Sequence, residues 1–139
     1  MEETCGCPAH TALLLPCSGA SNLGQIANRR ALELRAEGYG RMYCTVGVGA
    51  HIQSMIRAVK EAPCLVAIDG CEVSCVKKLL DHLDIRPHRH VVVSRLGIDK
   101  NFETSWPSEH VARVKEAVRG PAEDLLPKPS AAPGEQCCK

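Results

Sequence analysis

Aromatic residues are scarce: one Phe, one Trp and two Tyr in 139 residues. Base- and sugar-stacking surfaces need several such rings on one face, so a nucleic-acid or carbohydrate platform is not expected. Neither sign of charge dominates, with 17 Lys and Arg against 16 Asp and Glu. The chain therefore lacks the basic footprint that a phosphate backbone requires. No apolar run approaches the roughly 20 residues needed to span a bilayer. The start, Met1-Glu2-Glu3-Thr4, is acidic where an export signal is basic, which predicts a cytoplasmic chain.

What the chain does have is cysteine, nine of them. An odd count and good helical patterning argue against a secreted disulfide scaffold. In a reducing compartment, clustered cysteines point to metal binding or thiol chemistry.

Residues 1–10, with Cys5-Gly6-Cys7 and Pro8, read as a flexible cysteine-containing arm. Residues 11–120 read as one α/β domain, and 121–139 as a disordered Pro- and Ala-rich tail ending in Cys137-Cys138. Paired thiols on such segments suit soft-ion capture or thiol exchange.

Within the domain, apolar runs alternate with helical periodicity. Ala12-Leu13-Leu14-Leu15 is a strand ended by Pro16-Cys17-Ser18-Gly19. Ser21 caps a helix carrying Leu23, Ile26, Ala27, Ala31 and Leu34 on one face. Residues 41–46 form a second strand running into Gly47-Val48-Gly49. Ile52, Met55, Ile56 and Val59 mark a second helix. Cys64 to Ile68 is a third strand, continuous and apolar, and Val73, Val76, Leu79, Leu80 and Leu83 line a third helix.

His90 to Ser94 is a fourth strand, and Val111, Val114 and Val118 share the face of a last helix begun near Pro107. The expected fold is a three-layer α/β domain. A four-stranded, mainly parallel sheet carries helices on both faces, in the flavodoxin-like order 2-1-3-4.

In that order Cys17 and Cys71 follow neighbouring strands at the topological switch point, where open α/β sheets bind ligands. Cys44 comes from the second strand or its exit. Cys75 falls one helical turn after Cys71 and is expected on the same face. Four thiolates from three loops suit a tetrahedral zinc site or an iron–sulfur cluster.

A metal-free reading also fits. Cys71, at a strand-to-helix junction, would be a nucleophile facing unpaired helix N–H groups, with Cys75 or Cys17 resolving it in redox or sulfur-transfer chemistry. The partners implied are a metal ion or a small thiol or sulfur species, not nucleic acid or membrane. Asp69 is expected to support the turn, and His51 to lie on the side of the site. His88 and His90, with Arg86 and Arg89 as neighbours, are expected on a solvated basic edge. Cys64, opening an apolar strand, is expected in the core.

Several motifs in one order carry a family resemblance. They are Pro16-Cys17-Ser18-Gly19-Ala20-Ser21-Asn22-Leu23-Gly24-Gln25, Tyr43-Cys44, Ile68-Asp69-Gly70-Cys71 with Cys75-Val76-Lys77-Lys78, and Leu96-Gly97-Ile98-Asp99-Lys100. The chain resembles the DGC-domain family over residues 11–100, a family described as zinc-binding on account of its cysteines. The resemblance implies Cys17, Cys44, Cys71 and Cys75 as ligands. It implies no reaction.

Overall fold

Four short strands, each extended by the next in a single parallel sheet, position everything else. The computed structural model describes residues 11–120. The arm and tail expected at 1–10 and 121–139, with Cys5, Cys7, Cys137 and Cys138, lie outside the described residues.

Strand β1 (Ala12–Pro16) and strand β3 (Cys64–Asp69) are buried along their whole length, as their continuous apolar sequences require. Strand β2 (Gly40–Met42) pairs with the free side of β1, and strand β4 (Arg89–Val92) with the free side of β3. All pairings are parallel and the order is β2-β1-β3-β4. The expected topology is the one observed.

Alternation along the strands divides the core in two. Ala12, Leu14, Val66, Ile68 and Val91 face helix α1 (Asn22–Ala36) and helix α5 (Ser108–Arg119). Leu13, Leu15, Leu65 and Ala67 face helix α2 (Thr45–Gly49), helix α3 (Gln53–Lys60) and helix α4 (Cys75–His82). Leu14, Leu15, Leu23, Leu34 and Leu80 are fully buried, and each such side chain contributes about 1.5–3 kcal/mol to folding. Cys64 is 1% exposed at the amino end of β3, the end opposite the exit that leads to Cys71.

Three local expectations change. The second strand is shorter than expected: β2 ends at Met42, and Thr45-Val46-Gly47-Val48-Gly49 is helix, not strand and loop. Two glycines in five residues hide that helix, which is held by caps: the Cys44 sulfur accepts from Gly47 N–H at 3.3 Å. The third helix starts later than expected, at Cys75. Residues 71–74 form a turn closed by Ser74 in the left-handed region at φ 53°. Finally, β4 begins at Arg89, and Val93–Leu96 is a 3-10 turn.

The pair Arg89 and His90 is not a solvated basic edge. Both are buried. Arg89 reaches the opposite layer and donates to the carbonyls of Ala117 and Gly120, tying down the carboxyl end of α5. His90 reaches Asp69. Arg86 and His88 stay exposed, and the His88 Nδ1 accepts from Leu65 N–H at 2.9 Å.

Candidate functional site

The segment from Asp69 to Cys75 leaves β3 between its two flanking layers, and three sets of contacts fix its course. Asp69, only 1% exposed, ends β3 on the face covered by α4. Its Oδ1 accepts from Val76 N–H at 2.8 Å and its Oδ2 from Lys77 N–H at 3.1 Å. It therefore caps a helix whose own N-cap residue, Ser74, makes no side-chain capping bond. The His90 Nε2 lies 2.7 Å from the same Oδ2.

Gly70 lies on the opposite face, against the first turn of α1. A β-carbon there would sit 2.7 Å from Gly24 N and 2.9 Å from Gly24 Cα. Gly24 in turn leaves no room beside Gly19, whose backbone N would lie 2.6 Å from a β-carbon at position 24. The loop carrying Cys17, the start of α1 and the turn carrying Cys71 are thus stacked backbone on backbone.

Glu72 then clips the turn to the 3-10 segment. Its two carboxylate oxygens take the Arg95 guanidinium at 2.9 and 2.8 Å. The Arg95 hydrogen bond holds the Glu72 carboxyl below its ordinary value and raises the Arg95 guanidinium above its own.

Around this framework, four cysteines surface at the carboxyl ends of the strands. All four are unbridged; Cys17 and Cys71 are half-buried, and Cys44 and Cys75 exposed. Cys17 continues β1, donating its N–H to Ile68 O at 2.8 Å, and its sulfur accepts from Gly19 N–H at 3.4 Å. Gln25 holds the same loop through Gly19 O. Thr45 Oγ1 donates to Pro16 O at 2.8 Å and so fixes the start of α2, with Cys44 as its N-cap, to the end of β1.

The four do not share one face. Cys71 packs against the core under α1 and α5. Cys75, first residue of α4, lines a pocket on the other side with Val48, Leu79 and Leu83. The expected common helix face fails because the turn at 71–74, with its left-handed Ser74, separates the two cysteines. Cys17 touches both core clusters. Among the described residues, no three His, Cys, Asp or Glu side chains are gathered closely enough to hold a metal ion. As arranged, the cysteines are an edge of separate thiols rather than a closed cage.

The helix donors expected to face Cys71 are occupied, since Val76 and Lys77 give their N–H groups to Asp69. Another group takes their place. The Lys100 ammonium lies 3.7 Å from the Cys71 sulfur. A sulfur carrying negative charge, as a nucleophile or ligand does, is stabilised by a cation at this range.

Lys100 is placed by Asn22, 2% exposed at the start of α1. Asn22 Nδ2 donates to Asp99 O at 2.9 Å, and Asn22 Oδ1 accepts from Asn101 N–H at 2.8 Å. The Asn22 N–H donates to Asn101 O at 3.0 Å. Three bonds clamp the residues on either side of Lys100.

These features match a known family. A family model described as the DGC domain fits residues 13–118. The chain belongs to the DGC-domain family. Among curated proteins, it is 31% identical over 102 residues to the anaerobic and virulence modulator AnvM of Pseudomonas aeruginosa. That match covers 73% of this chain and 78% of AnvM. No solved structure matches. No helix among the described residues is long and apolar enough to cross a membrane.

In this DGC domain, the triplet Asp69-Gly70-Cys71 divides three tasks. The carboxylate anchors α4, the glycine permits contact with α1, and the cysteine emerges beside Lys100. Lys100 had no assigned role in the sequence, because nothing in the spacing of 29 residues signals that it meets Cys71. Asn22 is the residue that joins them. Replacing Asn22 with Ala is expected to slow alkylation of Cys71 by about two- to fivefold, the scale of one partly exposed charge interaction. Exposed Cys44 serves as the unchanged internal reference in peptide mapping.

Proposed function

We propose that this DGC-domain protein works through thiol chemistry, with Cys71 as the reacting sulfur and Cys17 as its resolving partner. The observation that supports this reading is the Lys100 ammonium 3.7 Å from the Cys71 sulfur, held there by the Asn22 clamp. Cys17 is preferred to Cys75 as the second thiol. It extends the strand paired with β3 and packs on the same core face as Cys71, whereas Cys75 lines a pocket on the other side.

The chemistry follows from thiolate attack on a small disulfide or other sulfur species. The Cys71 thiolate attacks one sulfur, the small molecule's S–S bond breaks, and its other half leaves as a thiolate. Cys17 then attacks the Cys71 sulfur and releases the second half. The protein gains a Cys17–Cys71 disulfide, and the small disulfide takes up the two electrons.

Replacing Lys100 with Met tests the reading. Cys71 alkylation is expected to slow by about two- to fivefold while Cys44 is unaffected. An unchanged Cys71 rate would remove Lys100 from the site.

A second reading is favoured by four unbridged thiols on one sheet edge and by membership of a cysteine-rich family. In it Cys17, Cys44, Cys71 and Cys75 hold zinc, or alternatively an iron–sulfur cluster. The thiolates are the right donors for either. Among the described residues no three of these side chains are gathered closely enough to hold such a group, so its binding would need them to move together. Elemental analysis of protein purified without oxygen separates the readings. One metal per chain supports a metal centre, and a trace amount supports free thiols.

A further inference from the structure

The pocket beside α4 is not used by Cys71 and has a composition of its own. Cys75, Lys78, Leu79, His82 and Leu83 follow helical spacing and form one face of α4. Opposite them stand the end of α2 and His51, held at φ 60°. The pocket is a depression of about 390 Å³, more open than enclosed, with room for part of a small molecule.

Its floor is apolar, from Leu79, Leu83 and Val48, and its rim carries a cation and two imidazoles. The rings of His51 and His82 meet edge to face, with centroids 6.0 Å apart. No Asp or Glu lines the cavity. The neighbouring Lys77 is paired with Asp81, but Lys78 makes no ion pair among the described residues. An apolar floor, a basic rim and a thiol at one end together fit a small anionic molecule that carries sulfur.

We propose that this pocket binds small disulfides bearing a carboxylate or phosphate, and that Cys75 captures them as a mixed disulfide. Lys78 holds the anionic group, with His51 and His82 as ring-nitrogen partners. The Cys75 thiolate attacks the nearer sulfur of the ligand. A Cys75–sulfur bond forms, the ligand's S–S bond breaks, and the departing thiolate takes up the proton that Cys75 gave up. The ligand's disulfide is the oxidant, and no further reagent is needed. The site is separate from Cys71 but needs Cys75 unbridged and free of metal, so it rests on the thiol reading rather than on a four-cysteine metal centre.

The test compares two disulfides of similar size and opposite charge, 3,3′-dithiodipropionate and cystamine, on the full-length reduced chain. Rates of mixed-disulfide formation are read for each cysteine by peptide mapping. Normalised to exposed Cys44, Cys75 is expected to prefer the anionic reagent by about fivefold or more, the scale on which a partly exposed charge acts. Lys78→Glu and His82→Glu, both on the exposed side of α4, are expected to abolish or invert that preference.

An equal charge preference at Cys75 and Cys44 would overturn the proposal. So would a preference that survives both substitutions. Cys71 is read in the same digest, so a failure of its own assignment is seen separately.

Discussion

Asp69→Ala is expected to destabilise the protein by about 3–5 kcal/mol, the largest effect of any single polar substitution at this edge. The carboxylate is 1% exposed and serves three donors from two elements: Val76 N–H, Lys77 N–H and the His90 ring. Alanine leaves all three without an acceptor, at about 1–3 kcal/mol for each buried donor so stranded. The loss also reaches the site, because α4 no longer has its cap and the turn that carries Cys71 loses one of its anchors. Asp69→Asn keeps the shape and one acceptor oxygen, so its cost should fall between wild type and Ala. Urea denaturation measures both. A loss under about 1 kcal/mol for Ala would show that water replaces these bonds readily.

Gly70→Ala is also expected to destabilise the protein, by a different cause. The added methyl would lie within 2.9 Å of Gly24 Cα and of Leu23 carbonyl carbon, which are backbone atoms of α1. Backbone cannot swing aside as the end of a flexible side chain can. Either α1 moves or the turn lifts, at about 1–3 kcal/mol or more. Both responses displace Cys71 from Lys100, since Asn22 in the first turn of α1 holds the residues flanking Lys100. The substitution should therefore lower stability in urea and slow Cys71 alkylation together. Normal stability with normal Cys71 reactivity would show that the close approach of the two backbones is dispensable.

The parallel sheet was legible because its strands are short apolar runs separated by clear helical periodicity, whereas its order, β2-β1-β3-β4 as expected, came from likeness to flavodoxin-like sheets and not from any residue. Leu23, Ile26 and Leu34, and likewise Val111, Val114 and Val118, are buried as their spacing requires. α2 was not legible: Gly47 and Gly49 read as loop, and the helix depends on the Cys44 cap and on Thr45 bonding Pro16. The buried His90 was hidden by its neighbours Arg86, His88 and Arg89, which suggest solvent. Its signal was register. His90 pairs with Ala67, two residues before Asp69 and so on the same face, which brings the ring within reach of the carboxylate.

The cysteines that reach the carboxyl edge could be read from strand ends, but not their division between two faces. That division depends on the left-handed Ser74, a backbone conformation that its residue type does not announce. Lys100 depended on a contact between segments far apart in the sequence, and only Asn22 reveals why it is fixed.

The most direct test of the account is the order in which Cys71 and metal respond to reagents. Protein purified without oxygen is alkylated briefly, before and after treatment with a chelator, and each cysteine is quantified by peptide mapping. A Cys71 thiol that reacts beside Lys100 should be labelled promptly without chelator, at a rate that chelation leaves unchanged and that Lys100→Met lowers. Labelling of Cys71 only after chelation, with release of stoichiometric metal, would contradict it and establish the four-thiolate centre instead.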